Sequence, residues 1–219
     1  MKIDFDVLRA KLYTAVLSDT LDGLGRRAQA MRPFIRPLSE EDTLFGPVRT
    51  GLFMPRYEVA EGENPYEIEI ELMDDLLPGD VPVFACDGPS ETIAPWGELL
   101  TTAAIARGAT GFVTDGLVRD VRAIKAAGFP VFHGGIGPLD SAGRSKMMQR
   151  DVPISCAGVL IRPGDLVFGD VDGVVVIPGD LIEPTIAGAL KKVEAENVTR
   201  DEIRAGSKMA EVYARHGVL

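Results

Sequence analysis

Two short segments carry the residue types from which a reactive site could be built: Trp96-Gly97-Glu98-Leu99-Leu100, and Thr114-Asp115-Gly116-Leu117-Val118-Arg119-Asp120. Each reads as a strand-end loop entering a helix. Backbone amides in a helix's first turn have no acceptor inside the helix and lie at the positive end of its dipole. Residues Gly97, Glu98, Leu99 and Leu100 therefore offer a seat for a carboxylate, and Gly97 allows close approach. Glu98 and Asp120 also have an ordinary explanation, because acids suit helix N-termini. Arg119 does not: a guanidinium in a first turn opposes the dipole and asks for an anionic partner. A rigid donor fork beside a metal-capable carboxylate suits a 2-oxo acid, the arginine holding the carboxylate while a metal polarises the ketone. The structural alternative is an ion pair from Arg119 to Asp115 or Asp120.

The remaining candidates are weaker. The run Pro163-Gly164-Asp165, followed by Gly169-Asp170-Val171-Asp172-Gly173, clusters aspartates as a metal site would, but these are also turn residues between short strands, and turns are the expectation. Lys125 and Lys146 are the Schiff-base candidates, yet a lysine on a charged face is ordinarily solvated. Cys86 and Cys156 sit in apolar stretches without metal or redox spacing and are expected as buried free thiols. With His133 and His216 as the whole histidine complement, a histidine-rich zinc site cannot be built. Any metal site must then use oxygen ligands, which points to magnesium or manganese. A formal net charge of −10 and the lack of a basic cluster argue against nucleic-acid binding. No apolar run reaches membrane-spanning length, and the acidic start Met1-Lys2-Ile3-Asp4-Phe5-Asp6 does not resemble a signal peptide, so no membrane association and a cytoplasmic location are expected.

The elements that must position these residues follow from periodicity. The 219-residue length fits one core with an appended arm. Asp4 to Leu24 reads as an amphipathic helix with Leu8, Leu12, Val16, Leu17 and Leu21 on one face. A strand is expected around Gly46 to Met54. The stretch after Asn64-Pro65 starts a helix whose apolar face is Ile70, Met73, Leu76 and Leu77. Next come a strand (Val81 to Cys86), a helix (Gly97 to Ala106), a strand (Thr110 to Thr114), a helix (Val118 to Ala127) and a strand (Pro130 to His133), which is the rhythm of a right-handed α/β unit with loops at its strand ends free for a site. Beyond a loop from Gly134 to Gln149, short strands at Val152 to Cys156, Val159 to Ile161, Leu166 to Phe168 and Val174 to Ile177 suggest a second, antiparallel or mixed sheet. Helical segments from Leu181 to Val198 and Ser207 to Arg215 suit an arm packing on a neighbouring subunit. The expected division is an α/β domain over residues 1–178 and the arm over 179–219.

At these residues the chain resembles the family that contains 4-hydroxy-4-methyl-2-oxoglutarate aldolase and the regulator of ribonuclease activity A. The likeness runs from Leu12-Tyr13-Thr14-Ala15-Val16-Leu17-Ser18-Asp19 through Pro78-Gly79-Asp80-Val81 to Val174-Val175-Val176-Ile177-Pro178. Its most specific element is an acid, twenty residues, then Arg-Asp: here Glu98, Leu99 to Val118, and Arg119-Asp120. The resemblance implies a layered α/β/β/α sandwich like the swivelling phosphohistidine domain, assembled as a homotrimer or hexamer with sites between subunits. It further implies a metal-dependent aldolase releasing pyruvate from 4-hydroxy-2-oxo acids, with oxaloacetate decarboxylation by the same apparatus. The Gly97 to Leu100 backbone and Arg119 would bind the pyruvate end, and Asp120 would hold magnesium. A water oriented by Glu98, or by another subunit's carboxylate, would take the 4-hydroxyl proton. That second carboxylate falls at Glu196, with Glu194 as the alternative. The aldolase branch usually has aspartate where this chain has Glu98. The family's other branch implies a different role, a non-catalytic regulator that binds a ribonuclease or another enzyme. Methyl transfer to a quinone lacks a glycine-rich nucleotide loop here.

Overall fold

The computed structural model of the protein describes residues 4–86 and 91–217. Met1 to Ile3, the first residues of the acidic start, lie outside the described residues. The first amphipathic stretch is two helices, α1 (Phe5–Arg9) and α2 (Thr14–Gly23), instead of one. Asp4 caps α1, accepting the Val7 N–H at 3.2 Å. The break follows from a long-range tie: Asp170 accepts both the backbone N–H of Thr14 at 2.8 Å and its hydroxyl at 2.7 Å. Tyr13, the residue before, is extended, so α2 begins afresh.

After β1 (Arg36–Pro37), the strand expected near Gly46 is longer at both ends, β2 (Leu44–Pro55). Helix α3 (Glu67–Asp74) is present, but its buried face is Glu69, Leu72 and Met73, while Ile70 is exposed. The α/β unit then runs β3 (Val81–Ala85), α4 (Glu98–Arg107), β4 (Phe112–Thr114), β5 (Leu117–Val118), α5 (Val121–Ala127) and β6 (Val131–His133). Helix α5 starts three residues later than periodicity predicts, because Leu117 and Val118 pair in parallel with β7 (Gly135–Ile136). Arg119 thus precedes the helix instead of lying in its first turn. The expected loop from Gly134 to Gln149 also contains β8 (Ser145–Arg150), which pairs with β2.

The later strands correct a second expectation. Only β9 (Ile154–Cys156) and β10 (Val159–Ile161) form a separate hairpin, whereas β11 (Leu166–Asp170) and β12 (Gly173–Ile177) extend the main sheet. They do so because β11 lies antiparallel against the first half of β2, Leu44 to Pro47. The sheet order is β1-β6-β4-β3-β2-β11-β12, with β2, β3, β4 and β6 parallel. Its two ends are tied by one stretch of chain: Ala30 bridges Val175 in β12, and Arg36 a few residues on pairs with His133 in β6. The result is a mixed α/β fold with a nearly closed sheet.

The aspartate-rich segments are turns, as expected. Asp165 accepts the N–H of Arg162 at 2.7 Å and of Gly179 at 2.8 Å. After a short turn at Gly179–Leu181, α6 (Ile182–Arg204) continues beyond the expected end at Val198, and α7 (Met209–His216) follows. The first half of α6 belongs to the core, burying Ile186 and Ala189 with Leu17 and Leu21 of α2 and Phe45 and Phe168 of the sheet. Its far end and α7 expose Val198, Met209 and Tyr213. No described helix is long and apolar enough to cross a membrane. Cys86 and Cys156 are buried free thiols, and burial pushes both well above their ordinary range.

Candidate active site

Trp96 anchors the site. Its ring is fully buried, stacked on Phe112 at 3.7 Å, and its Nε1 donates to the Thr101 hydroxyl at 2.8 Å. That hydroxyl donates in turn to the Gly97 carbonyl at 3.0 Å, which locks the first turn of α4. The Trp96 carbonyl accepts the Arg119 N–H at 3.0 Å, and Trp96 bridges Val118 in parallel fashion. The two segments singled out by sequence are therefore stitched side by side.

Asp120 lies at the N-cap of α5 with φ 59° and ψ 28°, a left-handed conformation that few residues other than glycine adopt. Its carboxylate turns away from α5 toward α4, where Oδ2 accepts the Glu98 N–H at 3.1 Å. The approach is possible because residue 97 is glycine: a Cβ there would stand 2.6 Å from that oxygen and 3.2 Å from Cγ of Arg119. The Glu98 side chain accepts the Thr102 hydroxyl at 2.9 Å. Arg119 reaches across with Nη1 at 3.2 Å from Asp140 Oδ1, and its Nε is 3.9 Å from Asp120 Oδ2. The ion pair is thus chiefly to Asp140, and Asp115 is not its partner. Asp115 instead accepts the backbone N–H groups of Cys86 and Ala157.

Three residues that sequence reasoning passed over complete the site. Asp140 Oδ2 accepts the Tyr66 hydroxyl at 2.6 Å, and this bond, with burial, raises the Tyr66 phenol to about 12. The loop bearing Asp140 is held in place by the Ala94 N–H, which donates to the Leu139 carbonyl at 2.8 Å. Glu69 of α3 is 6% exposed. Burial raises its carboxyl from the ordinary range to about 8, Asp140 adds to the rise, and Arg119 opposes it. These groups line one cavity of about 410 Å³ with Pro95, Trp96, Gly97, Leu99, Leu100 and Asp120. Of the apolar face that periodicity suggests for α3, Met73 and Leu76 are buried, whereas Ile70 is exposed and lines this cavity.

The other candidates lie elsewhere. Glu196 accepts a short hydrogen bond from the Tyr13 hydroxyl and lies 3.8 Å from Arg200. Burial first, and then Glu196, raise Tyr13 to about 12. Glu194 lines a different cavity with Lys11, Tyr13 and Arg200. Lys146 is tied to Glu63 at 2.6 Å, and Lys125 is exposed on α5. Among the described residues no three His, Cys, Asp or Glu side chains converge as a metal cage.

The family model described as "RraA-like: Aldolase/RraA" matches residues 14–176. The chain belongs to the RraA-like family. A relative from Halalkalibacterium halodurans, named "Putative 4-hydroxy-4-methyl-2-oxoglutarate aldolase", is 38% identical over 209 residues, covering 95% of this chain and 92% of its own. One of the same name from Halorhodospira halophila is 31% identical over 170 residues, 76% of this chain and 94% of its own. Among solved structures, Streptomyces coelicolor RraAS2, titled an unusual member of the RNase ES inhibitor RraA protein family, superposes with a TM-score of 0.81 at 28% identity, covering 92% of this RraA-like chain and all of its own.

The buried carboxyl has a thermodynamic signature. Because the Glu69 carboxyl is raised from 4.5 to about 8 on folding, the folded state holds its proton where the unfolded chain releases it. The stability this contributes is complete below pH 4.5 and is lost as pH rises through about 8. The Tm of the wild type should therefore fall relative to Glu69→Gln between pH 5 and 8, by an amount on the order of 10 °C. A thermal-unfolding difference that stays constant with pH would contradict this.

Proposed function

We propose that this RraA-like protein is a divalent-metal-dependent lyase that releases pyruvate from 4-hydroxy-2-oxo acids such as 4-hydroxy-4-methyl-2-oxoglutarate, and that also decarboxylates oxaloacetate. The observation that carries this reading is the seating of Arg119 and Asp120 over the amides of α4 at one end of an otherwise largely apolar cavity. The names of the relatives from Halalkalibacterium halodurans and Halorhodospira halophila support it.

Asp120 suits a magnesium or manganese ion: its side chain is half exposed, and with Oδ2 turned onto the Glu98 amide its other oxygen takes no hydrogen bond among the described residues. One carboxylate is a small donor set, which fits an ion that keeps several waters and takes its remaining ligands from substrate. When bound, such an ion supplies a Lewis acid for the 2-oxo group and for the negative charge that develops as the carbon–carbon bond breaks. Arg119 holds the substrate carboxylate, and the amides of Gly97, Leu99 and Leu100, the Glu98 amide being taken by Asp120, orient it at the positive end of the helix dipole. Glu98 positions a water that takes the 4-hydroxyl proton. Trp96, Leu100 and Pro95 keep bulk water from the reacting carbons. Lys125 and Lys146 have no part in this scheme.

RraAS2 favours a second reading, a regulator that binds and inhibits a ribonuclease or another enzyme. Such a role has no use for an ion-binding carboxylate beside a carboxylate-binding arginine. A panel of 4-hydroxy-2-oxo acids and oxaloacetate separates the two. Pyruvate release should vanish in chelator and return with magnesium or manganese, and Asp120→Ala should abolish it without loss of fold. Arg119→Lys should lower kcat/KM roughly ten- to a hundredfold, since losing a charge-assisted contact costs about 1.5–3 kcal/mol. Turnover that persists in chelator, with borohydride trapping substrate on a lysine, would overturn the metal chemistry.

We read α6 and α7 as the arm that builds a trimer or hexamer, bringing Glu196 to a neighbour's site, as its exposed apolar residues suggest. Mixed oligomers of Asp120→Ala and Glu196→Gln should then regain part of the activity that each lacks alone. No recovery in demonstrably mixed oligomers would return Glu196 to a structural role with Tyr13.

A further inference from the structure

Two carboxyls that line the cavity have no part in the scheme above, Asp140 and Glu69. Asp120 receives the Glu98 amide, Asp140 receives Tyr66 and Arg119, and Glu98 receives Thr102. Glu69 is different: it is 6% exposed, it lines the same cavity, and among the described residues nothing hydrogen-bonds or ion-pairs with its side chain. An unpartnered carboxylate in such a place would be very costly, whereas a neutral carboxylic acid is tolerable.

We propose that Glu69 is the proton donor of this site, delivering its carboxyl proton to the carbon that carries the electron pair once the substrate's carbon–carbon bond has broken. The proposal rests on the lyase reading. In aldol cleavage the bond between C3 and C4 breaks, the 4-hydroxyl proton leaves to the water held by Glu98, and C4 becomes a carbonyl. The electron pair stays with the pyruvate fragment as its enolate. The Glu69 O–H gives its proton to C3, which completes the methyl group of pyruvate and leaves a carboxylate. Solvent returns the proton withdrawn from the 4-hydroxyl, and the cycle closes with no other reactant. Decarboxylation of oxaloacetate needs the same donor at the same carbon.

The surroundings of Glu69 fit a donor. Arg119 faces it from the β5–α5 junction, Asp140 from the loop before β8, Tyr66 from the start of its own helix and Cys86 from the end of β3. The nearby cations on packed elements are engaged with other acids: Lys146 with Glu63, Arg150 with Glu71 and Asp75, and Arg107 with Asp74. Burial then holds the Glu69 proton up to about pH 8, which keeps the donor loaded at neutral pH yet ready to give the proton up. Once the carboxylate forms, Arg119 is the cation beside it. A merely structural glutamate at a helix–sheet contact needs none of this, and glutamine would serve as well.

Exchange of pyruvate methyl protons with deuterium oxide, followed by NMR with magnesium present, reads the step directly because it runs the protonation backwards and forwards. Glu69→Gln should slow exchange by about a hundredfold or more while leaving KM for the 2-oxo acid within roughly threefold. Because exchange begins with the Glu69 carboxylate taking a methyl proton, the wild-type rate should rise with pH up to about 8 and level off beyond it. Exchange in a folded Glu69→Gln within about threefold of wild type, in an enzyme that still cleaves its substrates, would overturn the donor and leave the lyase reading standing. If the variant does not fold, a wild-type exchange rate that stays flat as pH rises to about 8 overturns it instead. A wild type that neither cleaves any 2-oxo acid nor exchanges pyruvate protons would remove both.

Discussion

The hydrogen bond from the Glu98 amide to Asp120 Oδ2, at 3.1 Å, is the contact on which the site depends. It exists only because residue 97 lacks a side chain, since any Cβ there would meet that oxygen at 2.6 Å. It also requires Asp120 to keep a left-handed backbone, which for a residue with a Cβ costs roughly 1–2 kcal/mol. The strain is tolerated because both flanks are fixed. On one side Val118 is paired with Ile136 in β7 and Arg119 is bonded to the Trp96 carbonyl, and on the other α5 begins at once. A strained, half-exposed carboxylate held against a helix N-terminus is hard to explain by stability alone.

Arg119 stands between two acids without being exhausted by them. The guanidinium has five N–H donors. Asp140 is met through Nη1 at 3.2 Å and Asp120 is no nearer than 3.9 Å, so part of the fork remains for a ligand carboxylate. Tyr66 takes the other oxygen of Asp140, which aims that carboxylate and, through it, the arginine. The apolar residues of the cavity raise the worth of each of these charges by excluding water. The same exclusion makes Glu69 keep its proton. One cavity thus holds a half-exposed carboxylate bonded to a helix amide and a buried acid that keeps its proton.

Much of this was legible in the residues. The α/β rhythm from Val81 to His133 rests on strong periodicity and glycine stops, and the structure follows it. Arg119 and Asp120 stood out because helix electrostatics left Arg119 unexplained, although that residue turned out to precede α5, paired strands having displaced the helix start. Tyr66, Glu69 and Asp140 left no comparable trace. In sequence Glu69 is one acid of an alternating run on a helix, where a solvated charge is the ordinary reading, and Asp140 is a loop residue following Pro138. Their meaning comes from the approach of α3 to a loop some seventy residues further on, and pairing at that range has no local signal. Likewise the break between α1 and α2 depends on Asp170, far along the chain from Thr14.

The most direct measurement is the binding of oxalate, whose planar, adjacent carboxylates mimic the pyruvate enolate, by calorimetry in the presence and absence of magnesium. The cradle of Arg119, Asp120 and the α4 amides predicts binding that requires the ion, disappears in Asp120→Ala and weakens about tenfold or more in Arg119→Lys. Oxalate affinity that is the same without magnesium, or unchanged in both variants, would contradict the assignment of this cavity as the site of reaction.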